Sequence, residues 1–321
     1  MKGIDEIRSI INVRIKNLKY PNFPESLYQP VEYIMNLPSK RMRPVLLLMA
    51  HQLFDENIEE GISPALAIEF FHNFTLLHDD IMDNAPIRRG SATVHEKWNN
   101  NIAILSGDVM MIYAYKLISE LNSKYLKDVI DIFNKSSIEV CEGQQMDMNF
   151  ETQVDITLVD YMKMIKYKTA ILLAVSLKIG GITGGANIYQ QNHLYNFGIN
   201  LGMAFQLKDD LLDVFGIKEK FGKQLGGDIL ANKKTFLYLK SLQLADTKTK
   251  LLLQDLYKNN NNPILKINLV TDIFESLDIQ KHTNDMINSY HIKAMKHLNE
   301  IDSFRKEPLV LLCKKMMERN N

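Results

Sequence analysis

Apolar residues recur at intervals of three and four along most of the chain, which is the period of an amphipathic α-helix. Runs of alternating apolar and polar residues between turn signals, the pattern of β-strands, are scarce. We therefore predict an all-α fold. To within about 2–4 residues at each end, the expected helices cover 3–18, 25–37, 41–54, 64–84, 101–121, 125–150, 156–179, 188–215, 233–243, 247–258, 264–300 and 304–318.

The breaks between these helices are short, and none has the composition of a domain linker. Ser63, which is followed by proline, predicts the start of the fourth helix. Glycines in 180–185 and asparagines in 259–263 predict turns. Residues 216–234 mix lysine with glycine, which predicts a mobile cationic loop. We expect a single domain over residues 1–321.

The composition argues against several classes of function. Lysine plus arginine and aspartate plus glutamate both total 38, so the chain has no global field to attract nucleic acid or an anionic membrane. Cys141 and Cys313 lie far apart without metal-ligand spacing, which argues against zinc. Residues 1–16 carry charges throughout their apolar pattern, so they predict an amphipathic helix and not a transmembrane segment. We expect a cytoplasmic protein.

Two aspartate triplets interrupt apolar helical stretches. One, LLHDDIMD, ends a predicted helix, and the other, QLKDDLLD, lies within a second helix. The first and last aspartates of each DDxxD share a helix face, so they could grip one metal ion. Ionised carboxylates in an apolar setting are costly unless cations compensate them, and oxygen ligands favour Mg²⁺ or Mn²⁺. The candidate ligands are Asp79, Asp80, Asp83, Asp209, Asp210 and Asp213.

A single triplet of this kind could instead be a solvated helix face or a cluster of charges at a helix N-terminus. Two triplets with identical spacing and the same apolar framing favour metal sites. Because Mg²⁺ keeps several waters and shares its coordination shell with substrate phosphates, two facing carboxylate clusters predict a diphosphate substrate between them.

Basic and polar residues near these motifs could hold such a substrate. The basic candidates are Lys40, Arg41, Arg43, Arg88 and Arg89, and the forks of the arginines match phosphate oxygens. His72 lies two turns before the first triplet and could donate to a second anion, although a lone histidine is usually a satisfied core residue. The further candidates, each weak alone, are Lys168, Thr169, Gln206, Lys223 and Lys233.

Taken in order, these motifs resemble those of the trans-isoprenyl diphosphate synthase, or polyprenyl synthetase, family. The resemblance extends over most of the chain and is carried by KRMRP, LLHDDIMDNAPIRRG, EGQQMD, KYKTA, FQLKDDLLDVFG and the lid-like GKQLGGDILANKKT. Ser39 stands where the family commonly has glycine, so we expect a different backbone path just before Lys40.

The resemblance implies a single bundle of long antiparallel helices around a central cavity, paired as a homodimer. It also implies roughly three Mg²⁺ ions per active site. Their main ligands would be Asp79, Asp83 and Asp209, with Asp80, Asp210 and Asp213 completing the shells. The allylic diphosphate would be bound by Arg88, Lys168, Lys223 and Lys233. Isopentenyl diphosphate would be bound by Lys40, Arg43, His72 and Arg89.

The implied reaction is a prenyl transfer that condenses isopentenyl diphosphate with dimethylallyl, geranyl or farnesyl diphosphate. Metal ions and lysines would neutralise the leaving diphosphate and so favour ionisation of the allylic bond. The carbocation would be stabilised by the backbone carbonyl of Lys168, the Thr169 hydroxyl and the Gln206 amide. The departing diphosphate would then accept the proton.

Three residues before the first triplet are candidates for limiting the product length. Phe74 and Phe71 lie roughly 7 and 12 Å from Asp79 along the predicted helix, on the side where the growing chain must extend. An aromatic residue five positions before the first aspartate resembles short-chain synthases, so we expect farnesyl or geranylgeranyl diphosphate as the product. The small Thr75 keeps a longer product open, and both phenylalanines could also be ordinary core residues.

Three alternative functions stay open. A longer-chain polyprenyl diphosphate synthase would share every motif. A terpene cyclase would share the helices and Mg²⁺, but it has no evident use for KRMRP and the second DDxxD. A non-catalytic regulatory subunit should have lost ligands, whereas both triplets are intact.

Overall fold

The computed structural model describes residues 2–216, 226–258 and 262–317 and is built almost entirely of helices. The helices of the first part of the chain are α1 Ile4–Lys16, α2 Glu25–Asn36, α3 Met42–Gln52, α4 Glu59–Met82, α5 Val94–Lys97 and α6 Asn100–Ser119. The described strands are β1 Ile87–Arg88 and β2 Ser91–Ala92, which pair antiparallel. This confirms the predicted all-α fold.

The longer helices follow in the second part of the chain. They are α7 Ser123–Thr152, α8 Leu158–Ile165, a π-helical turn Lys166–Ala170, α9 Ile171–Gly184 and α10 Ile188–Phe215. The remaining helices are α11 Gly227–Leu230, α12 Phe236–Leu244, α13 Thr247–Leu256, α14 Pro263–Ser276, α15 Ile279–Asn299 and α16 Glu307–Met317.

The chain divides into two compact units. Unit 1 contains Met1–Phe133, Val175–Leu194 and Asp302–Leu309, and unit 2 contains Asn134–Ala174, Tyr195–Ile301 and Val310–Asn321. The single domain expected from the sequence stays a prediction, as does the central cavity.

The core of unit 1 forms around α3 and α4. Every residue of α3 from Pro44 to Gln52 is buried, as expected for a helix that is apolar on all sides. The amphipathic α1 buries Ile7, Ile11 and Ile15, which lie four residues apart on one face.

Unit 2 has its own core, formed by the helices that carry the second aspartate triplet and its neighbours. Tyr161 and Ile165 of α8 and Leu207 and Leu211 of α10 are buried in it together with residues of α12, α14 and α15. The side chains of the second triplet therefore rise from an apolar helix, as the sequence pattern predicted.

Three predictions about where helices begin, break or end were wrong. The fourth helix begins at Glu59, because the added turn buries Gly61 and Ile62, and Ser63 donates its hydroxyl to the Leu117 carbonyl (2.9 Å) instead of capping the helix. The predicted helix 264–300 is two helices, separated where Asp278 adopts φ 53°, a conformation that aspartate tolerates.

The third error concerns the glycines of the predicted turn at 180–185. Gly180 and Gly184 lie inside α9, and Gly185 with φ 89° follows its end. The helical glycines permit close packing, because a Cβ on Gly180 would overlap the Leu47 carbonyl and one on Gly184 would crowd the His51 carbonyl of α3. A sequence cannot distinguish this use of glycine from a turn.

One described helix, α6, is long and apolar enough to cross a membrane. Core helices of soluble proteins also meet this criterion of length and composition. Of the residues in the apolar stretch of α6, 33% are buried inside the protein. The cytoplasmic location expected from the sequence stays a prediction.

We predict that Gly180→Ala destabilises the fold although alanine favours helix formation. The new methyl group overlaps the Leu47 carbonyl, so α3 and α9 must separate. We expect a loss of about 1–3 kcal/mol in the free energy of unfolding, measured by urea denaturation. Gly3→Ala, where nothing lies within 4 Å of the new Cβ, is the control. A Gly180→Ala protein as stable as wild type would contradict this packing.

Candidate active site

The first aspartate triplet lies at the C-terminal end of α4 in unit 1. Asp79 is half-buried and Asp83, the residue that ends the helix, is exposed. They lie one turn apart, with the Asp83 amide donating to the Asp79 carbonyl (2.8 Å). Asp80 does not lie on the face shared by Asp79 and Asp83, and it is only 2% exposed. The predicted common face of the outer aspartates is therefore present, whereas the middle aspartate belongs to the interior.

Asp80 is paired with an arginine from the β1–β2 hairpin. Arg88 Nε lies 2.8 and 2.7 Å from the two Asp80 carboxylate oxygens, and Arg88 Nη2 lies 2.6 Å from Oδ1. The turn that follows places Arg89 at φ 52° and Gly90 at φ 76°, the signs required by a type I′ hairpin turn. Arg88 and Asp80 thus satisfy each other, and a substrate or metal role for either must coexist with this ion pair.

Several arginines of unit 1 surround His72. Arg43 Nη1 lies 3.0 Å from His72 Nε2, so the arginine donates and the imidazole accepts. Burial, followed by the charges of the surrounding arginines, holds the pKa of His72 well below its ordinary value, which keeps the ring neutral. Lys40 precedes α3 with an exposed side chain, and its backbone carbonyl accepts from Arg8 Nε (3.1 Å).

Unit 2 holds the KYKTA motif in an unexpected conformation. The predicted helix 156–179 is interrupted at the π-helical turn Lys166–Ala170, which spans this motif. Two glycines make room for it: a Cβ on Gly143 of α7 would overlap the Lys168 amide nitrogen, and one on Gly202 of α10 would overlap Ala170. π-Helical turns inside α-helices are frequent at functional sites.

Side chains from this turn are connected to the second aspartate triplet. Thr169 donates to Gln206 Oε1 (3.0 Å), and Gln206 Nε2 donates to Asp210 Oδ1 (3.0 Å). The Tyr161 hydroxyl donates to the other Asp210 oxygen. Burial and the nearby charge of Asp228 raise the pKa of Asp210 to about 7, although both hydrogen bonds favour its ionised form.

Lys168 is held by an acidic residue of α7. Its Nζ lies 2.6 Å from Asp147 Oδ2, and both side chains are about a quarter exposed (26% and 28%). Asp147 is the aspartate of the EGQQMD motif. The ammonium group is therefore oriented by the protein while part of its surface stays accessible.

The outer aspartates of the second triplet have different surroundings. Asp209 is half-buried, whereas Asp213 Oδ2 accepts the backbone N–H of Asp228 (2.9 Å) at the start of α11. Lys233 follows this short helix and lies 3.6 Å from the Asp228 carboxylate. Asp213 therefore anchors the segment that carries Lys233, in addition to the metal role expected of it. Lys223 and part of the predicted loop lie outside the described residues.

The three chain-length candidates lie on α4 before the first triplet. Phe71 is 1% exposed and Phe74 is 9% exposed, and their rings lie 5.6 Å apart. Phe71 also packs edge-on against Phe133, and Phe74 packs edge-on against His78. Thr75 is half-buried and donates to the His72 carbonyl (2.8 Å). Phe74 is thus the aromatic nearer to the triplet and the less buried of the two.

Within the described residues, no group of three or more histidine, cysteine, aspartate or glutamate side chains is close enough to hold a metal ion by itself. The aspartates of either triplet need further ligands, such as water or substrate oxygens, to complete a coordination shell.

Sequence reasoning assigned no role to several residues that hold the candidate site together. They are Glu69, Asn73, Asp147 and Tyr161. One signal was available for Glu69 and Asn73: polar residues at helical spacing within the apolar α4, in register with Asp80. No comparable signal marks Tyr161, which resembles any core aromatic in a sequence.

Comparison with known proteins gives a consistent result. The family model for polyprenyl synthetase matches residues 24–274. A geranylgeranyl diphosphate synthase of Saccharolobus solfataricus is 36% identical, over 92% of this chain and 90% of that protein. A crystal structure of geranylgeranyl pyrophosphate synthase superposes with a TM-score of 0.94 at 40% identity over 100% of both chains. The synthetase from Pyrococcus horikoshii gives 0.92 at 32% identity, over 98% and 97% of the chains.

The all-α fold and the ordered motifs thus define an enzyme of isoprenoid biosynthesis, a trans-prenyltransferase. The chain belongs to the polyprenyl synthetase family.

We predict that Gly143→Ala lowers the prenyltransferase activity while the protein stays folded. The added methyl group must displace the π-helical turn and with it the Lys168 backbone and ammonium group. Small displacements of this kind reduce catalysis by up to roughly a hundredfold, and steady-state kinetics with purified protein would measure the effect. Cys141→Ala, on the exposed side of the same helix, is the control. Equal activity of the two variants would mean that the turn tolerates displacement.

Proposed function

We propose that this protein is a geranylgeranyl diphosphate synthase that condenses isopentenyl diphosphate with allylic diphosphates and releases diphosphate. The observation that carries the proposal is the presence of a DDxxD triplet in each unit, accompanied by a basic side chain that the protein orients. Arg88 is paired with Asp80 of the first triplet. Lys168, held by Asp147, adjoins Thr169, which is linked through Gln206 to Asp210 of the second. A diphosphate with its metal ions is the ligand that such a combination of carboxylates and cations suits.

The donor atoms suit Mg²⁺. Asp79 and Asp83 present carboxylate oxygens from one helix face, and Asp209 is half-buried at the corresponding place in its triplet. Oxygen ligands that do not complete a shell are typical of Mg²⁺ sites that share phosphate oxygens, and Mn²⁺ could substitute. Asp79, Asp83 and Asp209 would be the main ligands, with roughly three ions per active site. When bound, the ions would neutralise negative charge on the leaving diphosphate.

Asp80, Asp210 and Asp213 would contribute to the metal shells less directly. Asp80 is paired with Arg88, Asp210 accepts from Tyr161 and Gln206, and Asp213 accepts from a backbone amide. They would act by orienting their neighbours or through bound water.

The side chains of unit 2 would assist ionisation of the allylic substrate. Lys168 would donate to the allylic diphosphate from the position where Asp147 holds it, and Lys233 would do so from the end of α11. The Thr169 hydroxyl and Gln206 amide are already aligned with each other, so their dipoles would stabilise positive charge without reorganising. Arg88 and Lys223 complete the proposed set for this substrate.

Isopentenyl diphosphate would bind to the basic cluster of unit 1. Lys40, Arg43 and Arg89 supply cationic donors, and neutral His72 can donate from Nδ1 while Nε2 accepts from Arg43. Desolvation lowers the pKa of Arg43 to about 10, which still leaves it charged at neutral pH. Arg43 would therefore be cationic before the substrate arrives.

A homodimer is supported by the exposed apolar face of α6. Ile104, Leu105 and Ile112 are 44%, 58% and 61% exposed and lie on one side of this helix. A second copy of the chain would cover this face in the paired arrangement that the family resemblance implies.

The direct test combines purified protein with Mg²⁺, labelled isopentenyl diphosphate and, separately, dimethylallyl, geranyl and farnesyl diphosphate. We expect geranylgeranyl diphosphate that requires both substrates and disappears with a chelator. Asp79→Asn should abolish turnover, and Asp131→Asn on the exposed side of α7 should not. Hydrocarbon formed from farnesyl diphosphate alone would instead identify a terpene cyclase. Absence of condensation with every primer would identify a non-catalytic subunit.

We predict that Phe74→Ala lengthens the product beyond geranylgeranyl diphosphate. Removing the ring opens space on α4 below the first triplet, where the growing chain would otherwise stop. Chromatography of the labelled products would detect the change. Phe70→Ala, which removes a more deeply buried ring of the same helix that stacks on Tyr113, is the control. An unchanged product distribution in Phe74→Ala would place the limit elsewhere.

We predict that Ile112→Glu converts the dimer into a monomer, because the new charge would be buried against the partner. Light scattering coupled to size-exclusion chromatography would report the mass. Val13→Glu places the same charge on a half-exposed residue of α1 (54%) and should leave the dimer intact. A dimeric Ile112→Glu protein would show that α6 does not form the interface.

A further inference from the structure

Helix α4 carries two polar stripes with different burial. His72, Asp79 and Asp83 are spaced by seven and four residues, so they share one face, and each is half-buried or exposed. Glu69, Asn73 and Asp80 form a second stripe by the same spacing rule, and they are 1%, 0% and 2% exposed. The first stripe is therefore accessible to a substrate, whereas the second faces the interior of unit 1.

The buried stripe is connected to the hairpin arginines. Asp80 is paired with Arg88, as described above. Two turns earlier, Asn73 Oδ1 accepts from Arg89 Nη1 (3.2 Å). The two anchoring residues are about 10 Å apart along the helix axis, so adjacent arginines of one turn are attached to the same helix at well-separated points.

Asn73 is itself held in place by an ion pair. Its amide nitrogen donates to the carboxylate of Glu69 (3.1 Å) and to the Glu69 backbone carbonyl (2.8 Å). The same Glu69 carboxylate oxygen lies 2.6 Å from Arg41 Nη1, and both of these side chains are at most 3% exposed. The amide orientation is thereby determined: its nitrogen faces Glu69, and its oxygen is left to accept from Arg89.

Two features make Arg89 depend on these contacts: an uncommon backbone conformation and the positive charge of neighbouring arginines. Its φ of 52° is uncommon for a residue with a side chain, and such conformations persist when surrounding contacts hold them. Burial lowers the pKa of Arg89, as do the charges of Arg41 and Arg88, whereas the charge of Glu69 opposes the shift. Glu69 therefore acts as a buried counter-charge within a cluster of arginines.

We propose that Asn73, oriented by the Arg41–Glu69 ion pair, is a positioning residue that aims the Arg89 guanidinium at the diphosphate of isopentenyl diphosphate. This inference rests on the proposed function and assigns Arg41 to the scaffold and not to substrate binding. Asn73 touches no substrate. Asn73 should influence the binding of only the substrate that Arg89 contacts. Substitution of Asn73 should therefore leave the binding of the allylic diphosphate unchanged.

The test is the Michaelis constant for each substrate in Asn73→Leu, which replaces the amide by an apolar group of similar size. We expect KM for isopentenyl diphosphate to rise about tenfold, the factor that corresponds to loss of one charge-assisted hydrogen bond, with KM for the allylic diphosphate unchanged. Gln52→Met is the matched control, because Gln52 is an equally buried amide (2% exposed) on α3. It should move neither constant.

A double-mutant cycle separates positioning from a general effect on the fold. In an Arg89→Ala background, Asn73→Leu should raise KM for isopentenyl diphosphate no further, since the group it positions is gone. Additive effects, equal rises for both substrates, or no rise would overturn the proposal. Asn73→Ala, which removes the same hydrogen bonds without adding a branched side chain, serves if Asn73→Leu does not fold. An inactive wild-type protein would refute the proposed function instead.

Discussion

Compensation of charge on apolar helices is the constraint on which this structure depends. An ionised carboxylate buried without partners costs several kcal/mol, about the stability of a whole small domain. In each aspartate triplet the middle residue is buried and the protein satisfies it: Asp80 by Arg88, and Asp210 by Tyr161 and Gln206. The outer residues remain nearer to the surface. The DDxxD pattern thus combines a buried anchor with more accessible aspartates, which we propose as metal ligands.

Close backbone packing is the second constraint, and glycine makes it possible. In unit 2, Gly143 and Gly202 allow two long helices to approach the π-helical turn that carries Lys168 and Thr169. Within this turn the Thr169 hydroxyl donates to Gln206 of α10. The conformation of the KYKTA motif is therefore determined as much by residues of α7 and α10 as by its own sequence.

Much of the fold and part of the candidate site could be predicted from the sequence. Helical periodicity identified the all-α fold, and the spacing of Asp79 and Asp83 correctly placed them on one helix face. Features that depend on tertiary contacts could not be predicted. The break at Asp278 and the helical position of Gly180 each depend on local packing or on an uncommon φ. The contact between Arg89 and Asn73 joins segments whose relative placement no local pattern specifies.

The central claim is that each aspartate triplet binds metal ions whose coordination shells include diphosphate oxygens. The most direct measurement is a crystal structure of the protein with Mn²⁺ and an unreactive thio analogue of an allylic diphosphate, with the ions located by anomalous scattering. This hypothesis predicts Mn²⁺ bound by Asp79 and Asp83 and Mn²⁺ bound by Asp209, with diphosphate oxygens completing the shells. Metal at only one triplet, or a diphosphate bound without metal, would contradict it.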